Sequence, residues 1–418
     1  MKQLAVWRDR RLLGYLTGSG STIRFRYATE AVEQFGLGRP IISMSLPTST
    51  SAFSDRLCRP FFDGLLPEGQ ARRIIAYDLG IPEADTFSML AVLGRESAGA
   101  LAVLPEGEEP LEAASIASLT PLNRSEIDAL IANLRFEPFG AGAGLRVSLG
   151  GVQEKLLLTE LSAADRTTQA AEKRWALPTG PVASTQILKP EIAGLVGNVA
   201  NEALCLRFAA IAGVDAASCE VATFADRQVL VVKRFDRKTN EVGIVERMHQ
   251  ETACQALAVP VASVTRKYED AGGPSLADVA RLLTRWADPS CLEQLLKQCA
   301  IHALVGNADA HAMNFSFVLS PTGEVSVAPM YDVFSTIAYP HLTTTPGMFI
   351  GGCRDIRAVT RERLRNEATT WGLSADEASR VLDSVLSEAA VALERAFSES
   401  PVDEQLRVLL GSRIHRFA

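Results

Sequence analysis

The sequence predicts an α+β protein in which a β-rich portion precedes a mainly helical one. Short β-prone runs punctuated by turn residues crowd its beginning, at Gln3–Arg8, Leu12–Leu16, Thr22–Tyr27 and Ile41–Leu46. A second group follows at Leu145–Ser148, Lys155–Leu158, Thr185–Lys189, Glu220–Phe224 and Gln228–Lys233. Beyond Asp236 the apolar spacing becomes helical.

Taken in order, Asp9-Arg10 and Gly18-Ser-Gly-Ser21 supply turns between the first strands. A Pro-Thr-Ser-Thr-Ser loop follows the Ile41–Leu46 run. Asp55 to about Leu93 reads as helix, interrupted at Gly80-Ile-Pro82. Pro105–Pro110 is acidic and rich in turn formers, which marks a boundary. Ser125 with Asp128 opens a short helix. Phe139-Gly-Ala-Gly-Ala-Gly144 is a flexible link. Val199–Ala212 is an amphipathic helix stopped at Gly213, and Ser374-Ala-Asp-Glu377 is a capping box for a helix running to about Phe397. These breaks divide the chain into 1–106, 107–144, 145–236 and 237–418.

Hydrophobic residues make up 47% of the 418, enough for a large core, while no stretch approaches the roughly 18 apolar residues that cross a bilayer. The N-terminus carries charges where an export signal needs its apolar region. The seven cysteines show no CxxC and no framework, so they read as reduced thiols of a cytoplasmic protein, with no membrane role. A net charge of −7 disfavours a protein that grips nucleic acid mainly by itself. The arginines at 354, 357, 361, 363 and 365 read as a salt-bridged helix face rather than a DNA contact.

The strongest chemical signal is Gly306-Asn-Ala-Asp-Ala-His-Ala-Met-Asn-Phe-Ser316. Asp309 and Asn314 stand five apart. Two strand-like runs, Phe315–Leu319 and Val325–Ala328, flank a Pro321-Thr-Gly323 turn and return the chain to Met330-Tyr-Asp332. Asp309, Asn314 and Asp332 can therefore converge. Phosphoryl transfer needs such a set: one carboxylate to take a hydroxyl proton, and a second carboxylate with an amide to hold Mg²⁺ on the phosphates. The alternative is a polar turn whose Asp and Asn bond local backbone. A competing metal reading takes His302, Asp309 and His311, without the helix-spaced histidine pair that would favour it.

Three further segments fit a nucleotide. Lys189 ends a β-run, and Glu202 lies thirteen residues on within a helix, the placement by which kinases aim a lysine at phosphates. Ser148-Leu-Gly-Gly-Val-Gln-Glu-Lys155 has a glycine pair between β-runs, suited to backbone approach to phosphate. Val231-Val-Lys-Arg-Phe-Asp-Arg237 leaves the β-rich portion and can offer backbone groups to adenine, or serve as a salt-bridged linker.

Together these motifs resemble the HipA family of bacterial toxin kinases. The likeness extends to Met248-His-Gln-Glu251 and Lys267–Pro274, and to Phe61-Phe-Asp-Gly-Leu-Leu-Pro-Glu68 and Leu93-Gly-Arg-Glu-Ser-Ala-Gly-Ala100 near the start. It implies a two-lobed protein-kinase-like fold: a β-rich lobe with an extra N-terminal subdomain, and a helical catalytic lobe. It implies ATP and Mg²⁺, with Asp309 as catalytic base and Asn314 and Asp332 as metal ligands. Nucleotide contacts would fall on Gly150, Gly151, Val152, Gln153, Glu154, Lys155, Lys189, Lys233, Arg234, Phe235, His311, Asn314, Tyr331 and Asp332. Ser148 matches an autophosphorylated serine whose modification shuts the enzyme off, as a phosphate of charge about −1.5 to −2 repels a bound nucleotide. The family resemblance further implies a toxin acting on an aminoacyl-tRNA synthetase such as glutamyl-tRNA synthetase, and a HipB-type helix-turn-helix antitoxin through which operator DNA is bound.

Three positions depart from the pattern. Val333-Phe334 follows Asp332 where ordinary kinases have Phe-Gly, Lys233 stands where an acidic residue is expected, and Met313 stands where the family often has lysine. Two rival functions stay open: a catalytically silent co-repressor, and a small-molecule kinase.

Overall fold

Residues 2–19, 22–112, 116, 119–139, 153–161, 174–179, 182–260, 264–400 and 402–417 are described by a computed structural model. Their chain divides into two units. Met1–Pro190, Ala222–Val264 and Val318–Glu324 form the first; Glu191–Val221, Thr265–Phe317 and Val325–Ala418 form the second.

In the first unit, Thr22–Tyr27 alternates strictly between exposed and buried positions, which puts Ile23, Phe25 and Tyr27 on one face. It is the edge of an antiparallel sheet ordered Thr22–Tyr27, Arg11–Ser19, Lys2–Arg8, Leu101–Pro105. The register sets Leu4 opposite Leu16 and Leu16 opposite Phe25, so all three enter one core. The helices Asp55–Asp63, Gly69–Leu79 and Thr86–Leu93 cover that face with Phe61, Phe62, Ile75 and Leu90. Leu157 is buried in the same core and Ile187 packs against it, so the N-terminal sheet shares its apolar interior with the strands that follow.

Those strands form a six-stranded sheet ordered Pro121–Leu122, Trp175–Ala176, Leu156–Glu160, Gln186–Pro190, Arg227–Lys233 and Cys219–Phe224. Its other face buries Leu156, Leu158, Leu188, Val229 and Val231 against Ile127 and Ile131 of the helix Arg124–Asn133. Asn123 and Glu126 make that helix's capping box, so it starts two residues earlier than Ser125 and Asp128 suggest.

The second unit is mainly helical. Asn198–Ile211, Leu276–Trp286, Ser290–Val305, Arg361–Thr370, Ala375–Leu386, Ala389–Glu399 and Glu404–Phe417 are its main helices. Arg413 of the last is buried and donates to the carbonyls of Ala303, Leu304 and Ile356, capping the C-terminus of Ser290–Val305 just before the Gly306 segment. Of the five arginines, Arg357 pairs with Asp355 and Arg361 with Asp383, Arg363 donates to the Gly351 carbonyl and Arg354 lies over Phe349; Arg354 and Arg357 precede the helix that starts at Arg361.

Two expectations are corrected. Ile41–Leu46 is not a strand. Ile41 N–H bonds Arg39 carbonyl and Leu46 N–H bonds Ser43 carbonyl, making tight turns with a single isolated bridge between Ser43 and Leu46. Its apolar run exists because Ile41, Ile42 and Leu46 fill the core. The helix capped by Ser374 ends at Leu386, and a second begins at Ala389. The break at Ser387 and Glu388 keeps both residues near helical dihedrals, so no glycine or proline announces it. The expected strand Leu145–Ser148 and the link after Phe139 lie outside the described residues.

Candidate active site

The segment Gly306–Ser316 begins where Ser290–Val305 stops. Gly306 is left-handed, at φ 68°, and a Cβ there would lie 2.5 Å from Ile337 Cδ1. The loop is then fixed from inside. Fully buried Asn307 accepts from Asp309 N–H at 2.9 Å, and its amide faces His302 Nδ1 at 3.2 Å. Asn314 donates to the Asp309 carbonyl at 2.9 Å, while its own N–H bonds the His311 carbonyl. The five-residue spacing is thus closed into a compact turn.

Ser316–Leu319 and Val325–Val327 form the expected hairpin, with Gly323 at φ 85° in its turn. The return is anchored next to Asp332. Tyr331 donates to the Met313 carbonyl at 2.7 Å, and its phenol oxygen lies 2.6 Å from Ser316 Oγ. Asp332 follows in a left-handed conformation at φ 58°, uncommon for a residue with a Cβ. Three residues on, Asn201 clasps Ser335 on both sides, accepting from its N–H at 2.8 Å and donating to its carbonyl at 3.1 Å. Thr336 accepts from Ala308 N–H and donates to the Gly306 carbonyl. The two polar segments are therefore stitched to each other and to the helix Asn198–Ile211.

Electrostatics registers this convergence. Burial raises the Asp309 carboxyl to about 6, the phenol of Tyr268 lowers it, Asp332 raises it and Lys267 lowers it. Burial, then Lys267, push His311 down to about 3, with Asp332 opposing. His311 is neutral, and its buried Nδ1 has no hydrogen-bond partner among the described residues. His302 is also held at about 3 by burial, and its ring packs against Phe315. It belongs to the core, which leaves the histidine metal reading without its first member.

Among the described residues no group of three or more His, Cys, Asp or Glu could hold a metal. Asn314 and Asp332 offer one amide and one carboxylate, the small donor set that suits a hard divalent ion completing its shell with phosphate oxygens and water. The orphaned His311 Nδ1 beside them fits a polar ligand at the same place.

The remaining candidates lie in the first unit, apart from Glu202. Gln153 donates to Pro190 carbonyl at 3.3 Å, tying the end of the glycine segment to the strand of Lys189. Leu157 opposes Ile187 and Leu156 opposes Leu188. Continuing that register places Lys155 and Lys189 side by side on one face, and both are buried. Glu154 and Lys233 are exposed, and Phe235 is half-buried. The Arg234 guanidinium is taken up by Asp236 and Ser184, and its N–H by Thr185 carbonyl. Ser148, Gly150, Gly151 and Val152 lie outside the described residues. Glu202 is buried in the second unit on Asn198–Ile211.

Comparison with known proteins now adds to this geometry. Residues 147–393, more than half of the chain, match the model of the HipA-like C-terminal domain, and residues 4–104 match the HipA N-terminal domain. The chain belongs to the HipA family. Sinorhizobium fredii Y4mE is 36% identical to this HipA-family chain over 406 residues, covering 96% of it and 93% of Y4mE. The serine/threonine-protein kinase toxin HipA of Shewanella oneidensis is 29% identical over 313 residues, covering 71% of this chain and 67% of that one. The fold also matches HipA in the Shewanella oneidensis complex of HipA, HipB and operator DNA. The TM-score is 0.82 at 24% identity, over 99% of this chain and 97% of that one. The HipA-family chain therefore has the two-lobed α+β kinase-like fold, and it is an enzyme of the serine/threonine kinase class.

Sequence reasoning missed Tyr268, Asn201, Asn307 and Thr336. Asn201 left a faint signal: a polar residue on the buried side of a helix demands partners. Tyr268 lay inside a segment carrying the family likeness, but nothing in its neighbours indicates that it reaches Asp309, 41 residues on.

Proposed function

We propose that this HipA-family chain transfers the γ-phosphate of ATP to a serine or threonine of a translation component, with Asp309 as catalytic base. The observation that carries this reading is the meeting of Asp309, Asn314 and Asp332 around a rigid, internally bonded loop. The attacking hydroxyl passes its proton to the Asp309 carboxylate as its oxygen bonds the γ-phosphorus. The bond to the β-phosphate breaks, and its electron pair leaves with ADP. Magnesium bound at Asn314 and Asp332 would neutralise charge on the phosphate oxygens. Lys155 and Lys189 supply positive charge to the phosphates. Gly150, Gly151, Val152, Gln153, Glu154, His311 and Tyr331 line the nucleotide, and Lys233, Arg234 and Phe235 face its base. Since the Arg234 side chain is spent inside the fold, the nucleotide contacts of that stretch come from its backbone or from Phe235.

The proposal extends to control. Phosphorylation of Ser148 by the chain itself switches it off, and a HipB-type antitoxin neutralises it and carries it to operator DNA. The target is an aminoacyl-tRNA synthetase, met in the cytoplasm. Among the described residues no helix is long and apolar enough to cross a membrane. The division into 1–106, 107–144, 145–236 and 237–418 is proposed as the allocation of these roles.

Incubation of the full chain with Mg²⁺, labelled ATP and candidate synthetases tests the reading. Label on Ser148 and on one synthetase is the expected result. Label on a sugar or drug hydroxyl and on no protein would favour a small-molecule kinase. No label anywhere, from a folded chain that binds the antitoxin, would favour a silent co-repressor.

A further inference from the structure

The base proposed above is held by a residue from outside its own loop. Tyr268 Oη donates to Asp309 Oδ1 at 2.7 Å. Its ring stands edge-on to His311, with centroids 4.9 Å apart and planes at 88°, and the Lys267 ammonium lies 5.8 Å from its centroid. Each flank of Tyr268 is tied to the catalytic segment. The Lys267 carbonyl accepts from Ala312 N–H at 3.2 Å. Glu269 N–H bonds the Gly347 carbonyl at 2.8 Å, and Gly347 N–H in turn bonds the Ala308 carbonyl at 2.7 Å. Behind it, Gly273 N–H bonds the Tyr268 carbonyl at 2.9 Å. A Cβ on Gly273 would fall 2.4 Å from the Arg266 carbonyl oxygen, so that return needs glycine. The phenol is thus presented by a braced turn, and its length and direction suit one oxygen of the carboxylate.

We propose that Tyr268 is a positioning residue for phosphoryl transfer, clamping Oδ1 of Asp309 so that Oδ2 is turned toward the incoming hydroxyl. A carboxylate has two equivalent oxygens and rotates about its last bond. A donor fixed on one oxygen removes that rotation and leaves one acceptor in a defined place. The substrate proton goes to Oδ2, while the Tyr268 proton stays on the phenol throughout. The inference rests on Asp309 being the base.

Steady-state kinetics of the full chain test it, comparing wild type, Tyr268→Phe, Asp309→Asn and the double variant. Tyr268→Phe keeps the ring and its His311 contact and removes only the donor. The expected result is a kcat lowered about 10- to 100-fold, a smaller loss than the roughly 10²–10⁴ that the base itself contributes, with KM for ATP changed less than about twofold. In the Asp309→Asn background the same change should have no further effect. An unaltered kcat for Tyr268→Phe beside an inactive Asp309→Asn overturns the positioning role alone. A loss expressed in KM, or equal losses in both backgrounds, overturns it too. Full activity of Asp309→Asn would instead remove the reading on which the inference stands.

Discussion

Two polar clusters in this molecule are built from similar residues and behave in opposite ways. In the first unit, Glu96, Ser184, Arg234, Asp236 and Arg237 form a buried charge network. Glu96 accepts from Ser184, Arg234 forks onto Asp236, and Arg237 donates to the carbonyls of Ser97 and Gly99. Burial opposes the charge on Asp236, but Arg234 and Arg237 hold its carboxyl well below the usual range. In the second unit, Asp309 is raised to about 6, with Asp332 adding to the effect of burial. One cluster spends its charge on itself. The other brings two carboxylates together and leaves His311 Nδ1 unbonded among the described residues. Unspent polar capacity inside a rigid frame is what a substrate and a metal can use.

The largest expected effect separates the two clusters by readout. Asp332→Asn should lower kcat at least about 10³-fold and leave thermal stability within about 1 kcal/mol, because the role proposed for this carboxylate is on the metal ion and phosphates and not on the packing of the fold. An Asp332→Asn protein that keeps wild-type transfer, measured with labelled ATP, would remove the contrast.

Asp236→Ala should act on the fold. Removing one member of a buried ion network leaves the arginines uncompensated and costs about 3–5 kcal/mol. Urea denaturation of the variant would show this. A midpoint equal to wild type would mean that the network is solvated and contributes little.

A smaller, pH-dependent effect comes from Glu251. It is buried, accepts from Ser43 and from Met44 N–H, and burial raises its carboxyl to about 8 against those bonds. The folded chain therefore holds a proton that the unfolded chain releases above about pH 4.5. Stability from this group is fully present below that pH and is lost as pH rises toward 8, by up to about 1.4 kcal/mol per unit. His249, His302 and His311, held at about 3, weaken the fold only below about pH 6.5. Between pH 6.5 and 8, Glu251→Gln should flatten the fall in stability, and a slope equal to wild type would contradict the assignment.

Much of this was legible in the sequence, and the reasons differ by place. The closeness of the Gly306–Ser316 loop to Asp332 could be read because Asp309, Asn314 and Asp332 are related by a hairpin, whose turn and strand pattern are local. Most strands were legible as short β-prone runs bounded by turn residues. Ile41–Leu46 was misread because a run of apolar residues says that it is buried, not that it is extended. The helix break at Ser387 carries no distinctive residue type. Tyr268, Asn201 and the link from Glu96 to Arg234 were hidden because each acts across 41 to 138 residues, where spacing holds no information. Arg234 read as part of a connection that faces adenine or is salt-bridged; the structure buries its side chain in ion pairs with Asp236 and Glu96.

The central claim is that Asp309 takes the hydroxyl proton in a site whose frame does not depend on it. The most direct measurement is the single-turnover rate of phosphate transfer by Asp309→Asn, with its thermal midpoint recorded on the same sample. The account predicts a rate lowered about 10²–10⁴-fold at an unchanged midpoint. A wild-type rate from the folded variant would contradict it.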